Sequence, residues 1–446
     1  MAFERKNILI LGGGFAGTTL LRKIQDIYQN DEQIDINLVS DDNFFLFTPM
    51  LPEVASGMLH ASDVSTPIRT FCKHAQFYHA KVSSVDFEKK QVIIKRIFDA
   101  KEMTLEYDYL ILSLGSIDNF FGNKNMERYS FTIKTLEDAL AIRNHVISML
   151  ESADNESNIK LQDGLSNFVV VGGGFAGVEI ATEINHFVQD AAFSYYKNID
   201  RRKLRVFLIS ARPGILPEVG DELGEFALRS LQKSGIKVIT NTKAIDAGVD
   251  FVTLDNGTKI PCGTLVWAGG VMVDPTITSL DCEHGPSGRI LVDDFLRVKE
   301  HEDVFAIGDC AYLEDKQTNK PYPPTAQIAL RQAKIVTQNI VSSLKGNSLT
   351  AFTYKNRGIM ATIGKRNAVA LLGKRKVHGL LAWVIWRYFY LTNLPTTEKK
   401  IRVGFEWFLD FFFRHSEILT VGLIKHKSMV KSEFTSTDDE KYREHL

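Results

Sequence analysis

One short element occurs twice, and it constrains the fold more than anything else in the chain. NILILGGGFAG (Asn7 to Gly17) and NFVVVGGGFAG (Asn167 to Gly177) are nearly identical and lie 160 residues apart. Each is an apolar, β-branched run, then G-x-G-x-x-G, then a helix-like pattern (TTLLRKIQDIY and VEIATEINHFV). The glycines have separate jobs. Gly12 and Gly172 make the tight turn, Gly14 and Gly174 admit a pyrophosphate to the backbone, and Gly17 and Gly177 let helix and strand pack closely. The free N–H groups and dipole at each helix N-terminus then hold phosphate. A lone glycine motif is weak evidence. Here a second strand follows each copy (INLVS and VFLIS), so both copies read as dinucleotide sites. Two sites imply two dinucleotides, a flavin and a nicotinamide.

The acid expected at the end of the second strand, for ribose hydroxyls, is missing from both copies. Ser40 holds its place in the first, followed by Asp41 and Asp42, and Ser210 in the second, with Arg212 two residues on. Loss of that acid removes repulsion of a 2′-phosphate, and Arg212 could pair with one. An insert near Gln189 to Lys203 stretches the second unit. Further along, EHEDVFAIGDCAYL (Glu300 to Leu313) is a strand running into a Gly-Asp turn. By itself that is only a turn. After two dinucleotide units it reads as a second flavin fingerprint, with Asp309 on the ribityl chain.

The 446 residues suggest about three domains. With 53 Lys/Arg against 54 Asp/Glu, the net charge of -1 excludes a globally basic nucleic-acid binder. Four cysteines (Cys72, Cys262, Cys282, Cys310) form no C-x-x-C, which argues against a disulfide scaffold, a zinc ribbon and a dithiol redox centre. His60, His74 and His79 have no ligand spacing, so no metal is expected. No cleaved leader is expected before the first strand. Val377 to Trp386 is the longest apolar candidate for a membrane span and stops at Arg387. Charge is uneven. Lys345 to Lys431 carries 16 Lys/Arg and 4 Asp/Glu, a net of +12, with every Trp except Trp267 and the run FEWFLDFFF. Basic and aromatic together point to a membrane surface. The blander alternative is a cationic packing domain with aromatics as its core. Ser432 to Leu446 reads as a polar tail.

These motifs, taken with FFLFTPMLPEVASG (Phe44 to Gly57), LSLGSIDNFFG, IKTLEDALAIRNHV, VWAGG, PPTAQIALRQA, YKNRGIMATIGKRNAVA and GLLAWVIWRYFYL, resemble the type II NADH dehydrogenases, the non-pumping NADH:quinone oxidoreductases, nearly end to end. Arg331 departs from the family's AQ-x-A-x-Q pattern, which has Gln there.

The resemblance implies an α/β fold of two doubly wound, Rossmann-like domains of the glutathione-reductase type, plus a C-terminal membrane-associating domain. The FAD domain is expected at 1–120 and 285–345, the NAD(P)H domain at 121–284, and the membrane domain at 346–431. It further implies non-covalent FAD, held by the first glycine motif with Phe15 and Ala16, by Ser40, Asp41 and Pro49, and by Val82, Gly115 and Asp309. NADH or NADPH is expected on the second motif, with Ser210 and Arg212 at the ribose and Gly269 and Gly270 of VWAGG nearby. Glu179 is placed near the nicotinamide, Thr48 near the isoalloxazine, and Gln327 and Arg331 near the quinone. Blander readings are an acid on the first turn of a helix for Glu179 and a helix-cap residue for Gln327.

Expected partners are a quinone and an anionic membrane surface met peripherally on the cytoplasmic face of the cell membrane. A homodimer is open, and nucleic acid is not expected. Rivals on this scaffold are a disulfide reductase, a sulfide:quinone reductase and a non-catalytic NAD(P)H-sensing protein. The first needs a redox dithiol close after the first loop, where only Cys72 is near, and the second needs cysteines poised at the flavin.

Overall fold

In a computed structural model of the chain, the described residues are 5–29, 31–355, 358–412 and 418–420. They divide into two compact units. One comprises residues 1–46, 65–117 and 271–355, the other 47–64, 118–270 and 356–446. The junctions lie at 117/118 and 270/271, against the 120/121 and 284/285 expected from the sequence, and residues 47–64 and 356–446 group with the second unit.

The first unit is built on a seven-stranded sheet, in the order Val304–Ala306, Tyr109–Leu112, Lys6–Leu11, Ile34–Ser40, Gln76–Asp86, Gln91–Arg96, Glu102–Glu106. The first five strands are parallel and the last two pairings are antiparallel. Ile8, Leu9, Ile10 and Leu11 are wholly buried, as a central parallel strand covered on both faces requires. The helix Phe15–Tyr28 packs its Leu20, Leu21 and Ile24 inward and lies against the helix Ala326–Leu344.

The second unit has a four-stranded parallel sheet, in the order Lys237–Ile239, Arg205–Ile209, Asn167–Val171, Thr264–Trp267. An antiparallel meander of Ala244–Ala247, Phe251–Leu254 and Lys259–Pro261 joins the same hydrophobic core. The expected insert is an extension of the helix Phe175–Ser194, followed by a turn at Arg201–Lys203 that Asp200 caps. The helix Leu136–Asn155 starts at a capping box of Thr135 and Asp138.

Beyond residue 358 this unit adds three antiparallel strands, Ile359–Thr362, Ala368–Leu372 and Arg375–His378. Two helices follow, Gly379–Asn393 and Thr397–Leu409. The aromatics divide between interior and surface. Trp383, Trp386 and Trp407 are core, whereas Phe405, Phe408, Phe411 and Phe412 are exposed. Leu380, Leu381, Val384 and Tyr388 form an exposed stripe on the first helix, and Ile401, Phe405 and Phe408 one on the second. Arg387, the charge that interrupts the apolar run, points inward, 4.0 Å from the Trp383 ring and 4.7 Å from that of Trp407. No helix among the described residues is long and apolar enough to cross a membrane.

Candidate active site

The two glycine turns are built alike. Gly12 has φ +108°, and a Cβ there would fall 2.2 Å from the Ser113 carbonyl oxygen. Gly172 has φ +130°, and its Cβ would fall 2.2 Å from that of Ala268. A Cβ at Gly17 or Gly177 would sit 1.9 Å from the carbonyl oxygen of Gly12 or Gly172, so helix and turn touch backbone to backbone. Gly14 and Gly174 differ: a Cβ on either meets nothing within 4 Å. Each is the N-cap of its helix, with no side-chain cap and no acid in the first turn. The leading N–H groups of both helices are therefore uncapped by protein side chains, beside open space, which is what a pyrophosphate needs. On this test the residues fit a dinucleotide in each unit. Phe15 and Ala16 open the first of these helices.

Ser40 and Ser210 have one structural part in common. Ser40 is 6% exposed and Ser210 2%, and each hydroxyl lies against the middle glycine of its turn, Gly13 or Gly173. Ser210 Oγ donates to the Gly214 carbonyl at 2.9 Å, so its proton is engaged within the loop. Arg212 is exposed, its carbonyl held by the Asn241 N–H at 2.9 Å. Asp41 is exposed, and its carbonyl contacts His79 Nε2 at 2.8 Å. Val82 is buried on the strand Gln76–Asp86, at a register shift.

The Gly-Asp turn is pinned from several sides. Ser116 Oγ donates to Asp309 Oδ2 at 2.6 Å, and Arg289 Nε to the Asp309 carbonyl at 3.1 Å. Gly308, at φ +76°, donates its N–H to Oε1 of the buried Gln332 at 2.7 Å. Gly115, at φ +76°, also faces open space. Gln332, next to the divergent Arg331, and Ser116 lie in segments that carry the resemblance but have no role assigned by it, and Arg289 lies outside those segments.

Gln327 is the second residue of its helix, and Thr325 is the cap, so the helix-cap reading of Gln327 does not stand. Tyr354 donates its hydroxyl to Gln327 Oε1 at 3.0 Å, and the Arg331 guanidinium lies 5.1 Å from the same ring. One tyrosine thus braces two residues a helical turn apart.

In the second unit, Thr48 is exposed at the start of a turn, Thr48–Met50, with Pro49 as its second residue. Gly269 and Gly270 follow the strand Thr264–Trp267; a Cβ at Gly269 would fall 2.6 Å from the Trp267 ring. Glu179 is not on the first turn of its helix. The helix begins at Phe175, and Glu179 is buried on the second turn. Its Oε1 accepts the Thr362 N–H at 3.0 Å, and burial pushes its carboxyl up to about 8. A macrodipole contact is thereby replaced by a desolvated acid able to carry a proton near neutrality.

All four cysteines are free, and Cys262 and Cys310 are buried. The Cys310 thiol lies 3.3 Å from the carbonyls of Leu112 and Ile307, and burial pushes it up to about 11. A thiol so rarely ionised is a poor nucleophile, which counts against both thiol-based rivals.

The family model described as pyridine nucleotide-disulphide oxidoreductase matches residues 6–333, and the NDH2 C-terminal domain model matches residues 356–415. A probable NADH dehydrogenase of Dictyostelium discoideum is 33% identical over 416 residues, covering 92% of this chain and 90% of that one. The type II NADH:quinone oxidoreductase NdhA of Mycobacterium tuberculosis is 31% identical over 426 residues, covering 92% and 88%. Among solved structures, NDH2 from Plasmodium falciparum in complex with NADH superposes with a TM-score of 0.85 at 22% identity, covering 92% of this chain and 99% of that one. A sulfide:quinone oxidoreductase from Aquifex aeolicus gives 0.67 at 20% identity, a likeness of fold alone.

Proposed function

The chain belongs to the type II NADH:quinone oxidoreductase family, and from that premise we propose how its two nucleotide units divide the work. The protein is a flavoenzyme that oxidises NADH and reduces a quinone without pumping protons. The unit bearing the Gly12 turn and the Asp309 turn holds FAD, and the unit bearing the Gly172 turn holds the nicotinamide nucleotide. The observation that carries this division is the pairing of an uncapped helix N-terminus at Gly14 with a braced carboxylate at Asp309 in one unit. The other unit repeats only the helix N-terminus. When bound, FAD would supply the two-electron chemistry that links oxidation of the nucleotide to reduction of the quinone.

The protein's own groups orient and exclude. Asp309, fixed by Ser116, would accept hydrogen bonds from the ribityl hydroxyls, and Gly115, beside open space, would leave room for them. Ser40, Asp41, Pro49 and Val82 flank the flavin nucleotide. Ser210, Arg212, Gly269 and Gly270 flank the nicotinamide nucleotide, with NADPH admitted beside NADH because no acid stands at 210. Thr48 lies near the flavin ring, Glu179 near the nicotinamide, and Gln327 and Arg331 at the quinone. Association with the membrane is peripheral. The exposed stripes of the two C-terminal helices and the basic residues around them favour an anionic surface, on the cytoplasmic face of the cell membrane. A homodimer is compatible with this arrangement.

Stopped-flow mixing tests the reading. NADH should bleach the flavin absorbance, and a quinone should restore it. Bleaching without restoration by any quinone would refute the second half-reaction, and a colourless purified protein would refute the flavin assignment.

A further inference from the structure

Phe121, in the second unit, carries two costs that its own packing does not offset. Its φ is +51°, in the left-handed region where a Cβ crowds the backbone, and its side chain is 70% exposed. Leu216 and Leu296, the other large apolar residues at positive φ among the described residues, are both wholly buried. Burial stabilises those two conformations. The neighbouring Phe120 also turns inward and stacks on Trp267 at 5.7 Å between ring centroids. Phe121 meets Trp267 at 6.4 Å, with the rings inclined at 67°, and presents most of its surface to solvent.

The loop that carries this ring is tied down. Phe121 donates its N–H to Asn119 Oδ1 at 2.8 Å, and Asn119 donates its own N–H to the Gly270 carbonyl at 3.0 Å. Trp267 Nε1 donates to the Asn119 carbonyl at 3.0 Å. Beyond the ring, Asn123 Oδ1 accepts the Met126 N–H at 3.0 Å and caps the helix Lys124–Tyr129, while its Nδ2 donates to the Ile245 carbonyl at 2.7 Å. An exposed ring held in a costly conformation by several hydrogen bonds is placed for something outside the fold.

Sheet order says which part of a ligand it meets. In a doubly wound unit the pyrophosphate lies on the helix after the first strand, and the adenosine ribose at the end of the second. Those strands are Asn167–Val171, which leads to Gly174, and Arg205–Ile209, which leads to Ser210. On its other side Asn167–Val171 pairs with Thr264–Trp267, which runs into Ala268, Gly269 and Gly270. With adenosine on one side of the pyrophosphate, the nicotinamide riboside extends to the other, towards Gly270. A Cβ at Gly270 would fall 3.2 Å from Phe121 Cζ, so the ring stands beside that glycine.

We propose that Phe121 is a positioning residue for the nicotinamide half of the dinucleotide, its ring packing against the nicotinamide riboside at the edge of the sheet. The inference rests on the reading that this unit holds the nicotinamide nucleotide. Adenosine and pyrophosphate contacts are untouched by the ring, so its effect is confined to ligands that carry nicotinamide.

The test uses the flavin-loaded enzyme, Phe121→Gly and Phe121→Tyr, with two probes that share the adenosine half. One is NADH, whose dissociation constant is read from the concentration dependence of flavin bleaching. The other is ADP-ribose, which lacks nicotinamide and is read by calorimetry. Phe121→Gly should weaken NADH roughly two- to tenfold, the range of an aromatic contact, and leave ADP-ribose unchanged. Phe121→Tyr, which keeps the ring, should bind NADH as wild type does. If Phe121→Gly does not fold, Phe121→Leu, which keeps bulk without a π face, should show the same split between the probes. With wild type binding both probes, a loss shared by ADP-ribose, or no loss of NADH, overturns the positioning role alone. Wild type that binds neither probe overturns it together with the parent reading.

Discussion

Tyr354 donates its hydroxyl to Oε1 of Gln327 at 3.0 Å. That bond fixes which end of the Gln327 amide faces the tyrosine and leaves the NH₂ end to donate elsewhere. Removing it with Tyr354→Phe keeps the ring that Arg331 packs on. One such hydrogen bond contributes about 0.5–1.5 kcal/mol, so the KM for quinone should rise roughly two- to tenfold. The rate of flavin bleaching by NADH is the control. A rise in the KM for NADH instead would place Gln327 on the nucleotide.

The glycines make a sharper pair. A valine at Gly14 has open space to enter, at a φ of -76° that any residue adopts, so Gly14→Val should fold. Its side chain then stands where the pyrophosphate lies, and the protein should purify colourless. Gly17→Val drives Cβ into the Gly12 carbonyl at 1.9 Å and should fail to fold. Gly174→Val should stay yellow and no longer be bleached by NADH. A yellow Gly14→Val beside a colourless Gly174→Val would exchange the two nucleotide assignments.

How much of this was legible in the sequence follows from the range of the forces involved. The strand–turn–helix units could be read because a positive φ and a 1.9 Å approach leave only glycine at Gly12 and Gly17, wherever the rest of the chain goes. The Gly308-Asp309 turn was readable for the same local reason. Tyr354 on Gln327 was not, since nothing near either residue encodes a contact 27 positions apart. Glu53, Glu183, Arg387 and Asp410 line one small cavity from segments far apart in sequence, and each reads alone as an ordinary surface charge. Arg387 reads as a break in an apolar run, yet its guanidinium is held between tryptophans. Composition counted the aromatics between 383 and 412 together. Only helix phase separates the inward tryptophans from the outward phenylalanines.

Nucleotide choice follows from exposure. Arg212 stands in solvent, where an ion pair contributes about 0.2–1 kcal/mol. Arg212→Ala should therefore lower kcat/KM for NADPH by no more than about fivefold and leave that for NADH nearly unmoved. Equal losses with both nucleotides would show that Arg212 does not meet the 2′-phosphate.

Membrane contact is better tested by substitution than by truncation. A cut near Lys365 would remove two of three strands in the sheet that carries Thr362. Leu381 is 63% exposed and Phe405 57%, so Leu381→Glu with Phe405→Glu should fold. Binding to anionic vesicles should drop in that double variant, and what remains should vanish in high salt, because the basic residues contribute about 1 kcal/mol each only near an unscreened surface. Undiminished, salt-resistant binding would place the contact on another face.

The buried acids also set how stability varies with pH. Burial raises Glu179 from an ordinary 4.5 to about 8, opposed by its hydrogen bonds from Thr362, with Glu183 adding to the rise. Between those values the folded protein keeps a proton that the unfolded chain has released, so the free energy of unfolding falls as pH rises. The contribution is complete below the unfolded value and is lost as pH climbs through the folded one. Glutamine resembles the protonated acid and has no charge to desolvate. Glu179→Gln should therefore change little at about pH 5 and stabilise the protein at about pH 9, by on the order of a few kcal/mol. Glu53, raised to about 8 by burial, should respond in the same direction. Urea unfolding at both pH values reads this directly. A Glu179→Gln variant destabilised equally at the two pH values would mean that the carboxyl is ionised in the folded protein throughout.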